Sequence, residues 1–367
     1  MTIEKRLFSS LPTIICLLTL TACASAEVAP PHLKELGELP GWKEDATFQA
    51  FPALLASCGV IETLSSDKAL GVGGSPTEWR EPCAAIGQLR AALVHDTDAA
   101  LRRTLEAHFI ALDPGEGISA LVTGYYEPEL AGSRIKDAAH PYPLYRLPPD
   151  PKQFDRAEID AGALGNKGLE LLWVSDPVEA FFLQVQGSGR VRLPDGGIVR
   201  VGFAGTNERT YVSLGKAMVE AGIITKEEAS LQSIRAWLSA HPEEIFAWLH
   251  QNPRYVFFRE QTGAGPIGAL GVALTPGRSI ATDPEFVSLG LPVWLNTTAP
   301  DSGAPLRRLV VAQDKGAAIK GAGRIDLFWG AGSEAEAMAG EMKQPGAYWA
   351  IVPRAAGQRW LATQAGF

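Results

Sequence analysis

LRRLVVAQDKGAAIKGAGRIDLFWGAG, residues 306–332, holds two apolar runs joined by a loop rich in glycine and alanine. Asp314 closes the first run and Asp326 stands inside the second, between Ile325 and Leu327. Short runs rich in β-branched and aromatic residues, bounded by glycine, predict two short strands. A carboxylate set into such a strand costs stability unless it is paired, hydrogen-bonded or protonated. Asp326 is therefore a candidate working acid.

Outward from this stretch the same texture continues. RYVFFRE, ALGVALTP, PVWLNT and AYWAIVP read as further strands of the C-terminal third. Upstream, ALVTGYYEPEL, ELLWVSD, AFFLQVQGSGRVRL and GIVRVGFAG read as β-rich segments between Gly, Pro and Asp turns. Asp195-Gly196-Gly197 marks a hairpin. Helical periodicity is confined to FPALLASCGV, EPCAAIGQLRAALVHD, TDAALRRTLEAHFIAL with Asp96 as N-cap, SLGKAMVEAG, and the segment after a Thr225–Glu228 capping box. The 38 Gly and 26 Pro suit turn-rich β structure better than a helical bundle. These signals predict a mainly β protein with flanking helices and a C-terminal β-barrel. At 367 residues there is room for two cores.

Met1 to Arg6 is a short basic region, followed by LFSSLPTIICLLTLTACASA, an apolar run ending in small residues. This reads as an export signal over 1–22, too short and too early to span a membrane in the mature chain. Leu20-Thr21-Ala22-Cys23 resembles a bacterial lipobox, which would lipidate Cys23, and Ala24 behind it suits the outer membrane. The expected location is the periplasmic side of the outer membrane, or the soluble periplasm if ordinary cleavage leaves Cys23 unlipidated. Residues 23–47, rich in proline and small polar residues, read as a tether. Cys58 and Cys83 remain as a pair in an oxidising compartment, and a disulfide fits them better than a metal site because neither has a Cys or His at ligand spacing.

A net charge of -8 without a basic stripe argues against a nucleic-acid partner. Gly263 to Gly268 spells a dinucleotide fingerprint, but Gly271 and Pro276 prevent the helix that would bind pyrophosphate. Gly187-Ser188-Gly189 lacks the glycine spacing of a nucleophile elbow. The histidines at 32, 95, 108, 140, 241 and 250 lie outside the Gly-rich polar segments, so surface or packing roles suffice for them. Asp283, Asp314 and Asp326 are too dispersed for the usual divalent-metal patterns, and no cofactor is expected.

Acids, amides and aromatics remain. Tyr125, Tyr126 and Glu127, then Gln184, Gln186, Gly187, Ser188 and Gly189, then Thr206 and Asn207 form the mixture that binds a sugar chain, with rings on sugar faces and amides on hydroxyls. Tight turns and core tyrosines are the plainer reading. Gln184 and Gln186 would share one face of a strand, which favours the groove. A glycosidase wants two carboxylates across the scissile bond, and Asp314 with Asp326 could supply them.

VTGYYEPEL, FFLQVQGSGRV, GFAGTNERTY, SLGKAMVEAG, NPRYVFFRE, GPIGALGVALTPGRSIATD and VVAQDKGAAIKGAGRIDLFWGAG, in this order, resemble the membrane-bound lytic murein transglycosylase A family. The resemblance runs from about residue 48 to the C-terminus, and its last part resembles the module named for three aspartates, here Asp283, Asp314 and Asp326. It implies a double-psi β-barrel catalytic domain built from 48–122 and 255–367, with a second β-barrel domain, 123–254, inserted between them. It implies peptidoglycan glycan strands as substrate, Asp326 as the catalytic acid/base, Asp314 as its support, and Asp283 and Lys320 beside the substrate. Other cell-wall synthesis or turnover proteins are candidate partners. A water-using muramidase and a noncatalytic peptidoglycan-binding lipoprotein are the competing readings.

Overall fold

The computed structural model describes residues 32–89, 96–113, 117–263 and 265–364. The export signal, Cys23 and His95 lie outside the described residues. No helix among those described is long and apolar enough to cross a membrane.

From β1 (His32–Lys34) onward the chain is packed. Leu36, Leu39 and Trp42 are buried, Trp42 stacks edge-on against Trp294 at 5.0 Å, and its Nε1 donates to Glu106 at 2.7 Å. Tether chemistry therefore does not describe residues 32–47, because their few apolar side chains seal the main core. Next come α1 (Phe51–Ile61), α2 (Pro76–Gln88) and α3 (Thr97–His108). Ser75 and Glu78 close a reciprocal capping box on α2, with Pro76 at its first turn. Asp96 caps α3 by accepting from the Ala99 amide at 2.9 Å, as expected. Cys58 and Cys83 form a disulfide that joins α1 to α2 across 25 residues. Closing a loop of that size contributes roughly 3 kcal/mol through the unfolded chain.

After β2 (Phe109–Asp113) and β3 (Ile118–Glu127) the chain enters a second sheet. Its strands are β4 (Glu129–Ser133), β5 (Tyr142–Tyr145), β6 (Glu170–Val174), β7 (Ser188–Arg192), β8 (Ile198–Thr206) and β9 (Val256–Gln261). Between them run α4 (Arg156–Asp160), α5 (Pro177–Gln186), α6 (Leu214–Glu220), α7 (Leu231–Ala240) and α8 (Ile245–Leu249). The strand order is β5-β6-β4-β7-β8-β9, and β7 and β8 form the hairpin around Asp195-Gly196-Gly197. Among the described residues no hydrogen-bonded pairing joins the outer strands β5 and β9, although the two lie against each other.

AFFLQVQ, expected as strand, is helix. Asp176 accepts from the amides of Val178 and Glu179, Pro177 sets the first turn, and Gly187 ends the helix in the left-handed conformation at φ 81°. These are an N-cap and C-cap signature, and they override the β look of an apolar run. Thr225 and Glu228 do bond reciprocally, but the turn they close is not the helix start. Ser230, bonded to the Ser233 amide, caps α7 instead.

The chain then returns to the first sheet with β10 (Ser279–Ala281), β11 (Pro292–Thr298), β12 (Pro305–Asp314), β13 (Arg324–Ala331) and β14 (Lys343–Pro353). Two helices not expected from the sequence, α9 (Ser333–Glu341) and α10 (Arg354–Gln364), flank β14. ALGVALTP is loop with a single bridge between Ile267 and Ala273. In the eight-stranded sheet β1-β2-β14-β11-β12-β10-β13-β3, β14 also pairs with β3, which closes β3, β13, β10, β12, β11 and β14 into a ring. Val122, Val293, Leu295, Val310, Ile325, Leu327 and Tyr348 fill it, each wholly buried, whereas Trp294 turns to the outer face against Trp42. The second sheet has its own core around Leu172, Leu183, Val191, Val201 and Phe258. β3 stays paired in the first sheet as far as Glu127, and β9 in the second as far as Gln261. The crossings thus lie a few residues beyond the boundaries at Thr123 and Tyr255 that the resemblance implies.

Candidate active site

Strand alternation decides what surrounds Asp326. On β13, Ile325 and Leu327 point into the barrel core, whereas Asp326 and Phe328 share the outer face. Ile325 and Leu327 therefore do not wall in the acid. Its apolar surroundings come from an outer cluster of Tyr125, Leu274, Ala281, Ile319 and Phe328, with the Tyr125 and Phe328 rings 5.2 Å apart.

β13 runs parallel to β3 with Asp326 opposite Thr123. That register brings the Thr123 hydroxyl to donate to Asp326 Oδ1 at 2.6 Å. Gly124 follows Thr123. A Cβ there would stand 2.8 Å from both the Ala339 backbone and the Trp329 ring, so only glycine lets β3 pass so close to α9 and β13. Among the described residues Asp326 Oδ2 accepts no hydrogen bond. Burial lifts the Asp326 pKa to about 6, against the Thr123 hydrogen bond and the Arg324 charge, and the nearby Asp314 carboxylate adds to the rise.

Asp314 ends β12 in a different state. Its Oδ1 accepts from the amides of Ala269 and Lys315, both at 2.9 Å, and its Oδ2 accepts from the Tyr125 hydroxyl at 3.1 Å. Both oxygens are thus engaged. Burial still raises its pKa despite those bonds. Buried beside two carboxylates, the Tyr125 phenol is pushed far up and stays a donor. Asp283 is buried with Oδ2 accepting from the Gly321 amide at 2.9 Å, and this bond lowers its pKa. It pins the glycine-rich loop rather than facing outward, while Lys320 on that loop is exposed, 3.8 Å from it.

A cleft of about 1080 Å³ lies between the first sheet and the helices of the second. Thr123, Gly124 and Tyr126 form one wall, and Phe182, Gln186 and Tyr211 stand among the residues opposite. Asp326 adjoins the cleft through Thr123. Tyr211 lies close enough for the Asp326 charge to raise its phenol, after burial as the larger cause.

The other expected groove residues divide. Tyr126 and Gln186 line the cleft, and the Gln186 side chain accepts from the Tyr126 amide at 3.1 Å. Gln184, two residues before Gln186 on α5, does not share a face with it. It is buried and accepts from Arg156 at 2.7 Å. Glu127 is buried against Arg200 at 2.7 Å, and Asn207 is buried with its side chain bonded to Pro253 O and the Tyr255 amide, both at 2.8 Å. These two brace the fold. Gly187 is the α5 cap, Ser188 opens β7, Gly189 packs on Pro128 and Leu183, and Thr206 accepts from the Glu208 amide. Thr123, Arg324 and Tyr211 were not singled out from the sequence. Thr123 and Tyr211 stand within the motifs VTGYYEPEL and GFAGTNERTY, but only strand pairing and sheet packing bring them to Asp326.

A family model described as the MltA specific insert domain matches residues 121–259, and the 3D domain model matches 278–352. The membrane-bound lytic murein transglycosylase A of Vibrio cholerae is 32% identical over 320 residues, covering 83% of this chain and 87% of that one. The chain belongs to the membrane-bound lytic murein transglycosylase A family. Solved structures of the family agree with this membership. That of the membrane-bound lytic murein transglycosylase from Agrobacterium tumefaciens superposes with a TM-score of 0.79 at 30% identity, covering 90% of this chain and 99% of that one. Escherichia coli MltA with bound chitohexaose gives 0.69 at 28% identity, covering 88% and 94%. Of the three aspartates of the C-terminal module, Asp314 ends β12, Asp326 lies within β13 and Asp283 lies in the loop after β10.

Proposed function

We propose that this family member is a lytic murein transglycosylase in which Asp326 alone acts as general acid and then as base. Its substrate is peptidoglycan, at the β-1,4 bond between N-acetylmuramic acid and N-acetylglucosamine. The observation that carries the single-acid reading is the contrast between the two aspartates. Asp326 keeps one oxygen unengaged and holds its proton up to about pH 6, whereas both oxygens of Asp314 are occupied by the protein. A hydrolase needs a second free carboxylate to activate water.

Protonated Asp326 donates to the departing glycosidic oxygen. The resulting carboxylate then accepts the proton of the muramyl C6 hydroxyl, whose oxygen closes on C1 of the same sugar to give a 1,6-anhydro ring. An intramolecular nucleophile replaces activated water, which is why one carboxylate suffices. Thr123 fixes the carboxylate through Oδ1, burial keeps its pKa high, and Asp314, held by Tyr125, adds to the rise. The ring of strands supports reading the catalytic unit as a double-psi barrel made from both ends of the chain, with the β4–β9 unit inserted and the glycan lying in the cleft between them. The lipobox supports anchoring through Cys23 at the periplasmic face of the outer membrane.

The acting form of Asp326 is the protonated one, so turnover falls as pH rises through about 6. Thr123→Val removes a bond that favours the charged form and shifts this fall to higher pH. Asp314→Asn removes a like charge and shifts it to lower pH while turnover survives. Muropeptide release measured from pH 4 to 8 checks both signs. If Asp314 were instead a general base, Asp314→Asn would cost on the order of 10² to 10⁴ in rate at every pH.

A further inference from the structure

A second cavity, of about 500 Å³, opens in the β4–β9 unit and is lined in part by Tyr145, Arg156, Asp160, Glu170, Trp173 and Tyr255. Phe181 borders both this cavity and the cleft, so one ring stands between them. Arg156 is 2% exposed. Its Nε donates to Asn252 O at 2.8 Å, and its Nη2 donates to Gln184 Oε1 at 2.7 Å and Arg254 O at 2.6 Å. Its guanidinium carbon stands 4.7 Å from the Phe181 ring and 5.2 Å from the Tyr255 ring. Nη1 has no hydrogen-bond partner among the described residues. A guanidinium locked this firmly, with one nitrogen left over in a cavity wall, is preorganised for an anion, and carboxylate fits its planar donor geometry.

The same cavity carries acids. Asp160 Oδ2 meets His250 Nε2 at 3.1 Å, and Glu170 Oε1 accepts from the Asn166 amide at 2.9 Å. Among the described residues the second oxygen of each carboxylate has no partner. Opposite charges held apart on aromatic walls suit a ligand that has both an ammonium and a carboxylate on a short carbon skeleton. Arg156 and Asp160 already offset part of each other's charge, and a zwitterion would pair each of them directly, which a neutral sugar cannot do.

We infer that this cavity binds an α-amino-acid zwitterion, with its carboxylate on Arg156 and its ammonium between Asp160 and Glu170. The zwitterion is either a free diamino acid or the end of a peptide branch on the glycan. The second source rests on the peptidoglycan reading above, and the cavity's position one ring from the cleft places such a branch within reach.

The test is calorimetric titration of the mature protein with free meso-diaminopimelate, with a tripeptide ending in meso-diaminopimelate, and with the same tripeptide acetylated on the free amine of its diaminopimelate side chain. Saturable binding of the unmodified tripeptide, at least tenfold weaker after acetylation and at least tenfold weaker in Asp160→Asn and Glu170→Gln, supports the inference. Equal binding of the free diamino acid supports it with the free compound as ligand. Arg156 also braces two backbone carbonyls, so Arg156→Lys is read only beside those isosteric variants, whose far-ultraviolet spectra report folding. No saturable heat with either unmodified ligand, or equal affinity for the acetylated form, overturns it. Digestion of sacculi by the same preparation separates the two readings, since fragment release without zwitterion binding overturns this site alone.

Discussion

Asp326→Asn loses release of muropeptides from sacculi by on the order of 10³-fold or more, and the variant protein is more stable than the parent at neutral pH. The first effect follows because the amide neither donates the acid's proton nor accepts the C6 hydroxyl's, and general acid–base catalysis of this kind contributes about 10² to 10⁴ per step. The second follows from linkage. Asp326 titrates near 6 when folded, against an ordinary aspartate value of 3.8. A carboxyl whose folded pKa is raised favours the fold only while protonated, so the parent loses stability between about pH 4 and 6 and stays lower above that window. The penalty is on the order of 1 to 3 kcal/mol at pH 7. Asparagine has no charge to bury and escapes it. Thermal melts of parent and variant at pH 4 and pH 7 check the sign, the gap opening only at the higher pH. A gain of stability joined to a loss of activity is the signature of a site strained for function, whereas a structural aspartate would show losses in both.

Arg278→Met destabilises the fold by about 3 to 5 kcal/mol, the usual cost of leaving a buried charge without its partner. Arg278 is buried just before β10 and reaches back to the N-terminal segment. It meets both oxygens of the equally buried Asp45, at 2.8 and 2.9 Å, and also donates to Leu309 O, Ala46 O and Gln49. Asp45 in turn accepts from the Leu309 amide at 3.0 Å. The pair fastens residues 45–49 across the edge of β12 and β10, the strands that lead into Asp314 and the Asp283 loop. Urea unfolding measures the loss. Asp45→Asn is expected to be milder, because Arg278 keeps three of its neutral oxygen partners. Nearly equal stabilities of Arg278→Met and the parent would show that this clamp contributes no net stability.

How far the sequence reveals the fold depends on whether local signals and tertiary packing agree. RIDLFWG and LRRLVVAQD are β-like, bounded by turns, and occupy β13 and β12 as expected. The Asp195-Gly196-Gly197 hairpin and the Asp96 cap were legible because their chemistry is local. AFFLQVQ misleads because a buried helix and a buried strand are both simply apolar over seven residues, and the decisive marks, Asp176-Pro177 before it and Gly187 after it, lie outside the run. SEAEAMAGE, a short run between two strands, forms α9, which its alanines and acids favour. Residues 36–42 look like linker because they fall in a segment marked by proline and small polar residues, yet Leu36 and Trp42 seal the core from the outside.

The site divides along the same line. Asp326 stood out because an acid within an apolar strand conflicts with its local environment, and such conflicts mark function. Glu127, Gln184 and Asn207 looked equally functional, being polar residues beside glycine, but each satisfies buried groups of the protein. Thr123 carried no local conflict. Its role comes from parallel pairing across 203 positions of chain, which no local pattern reports.

The most direct test of the single-acid account is digestion of purified sacculi by the mature protein in ¹⁸O-labelled water, with the released ends read by mass spectrometry. The account predicts 1,6-anhydromuramyl ends without label, because the C6 oxygen of the sugar itself closes on C1. Reducing ends that carry ¹⁸O would contradict it, since they require water as nucleophile and therefore a second carboxylate to activate it.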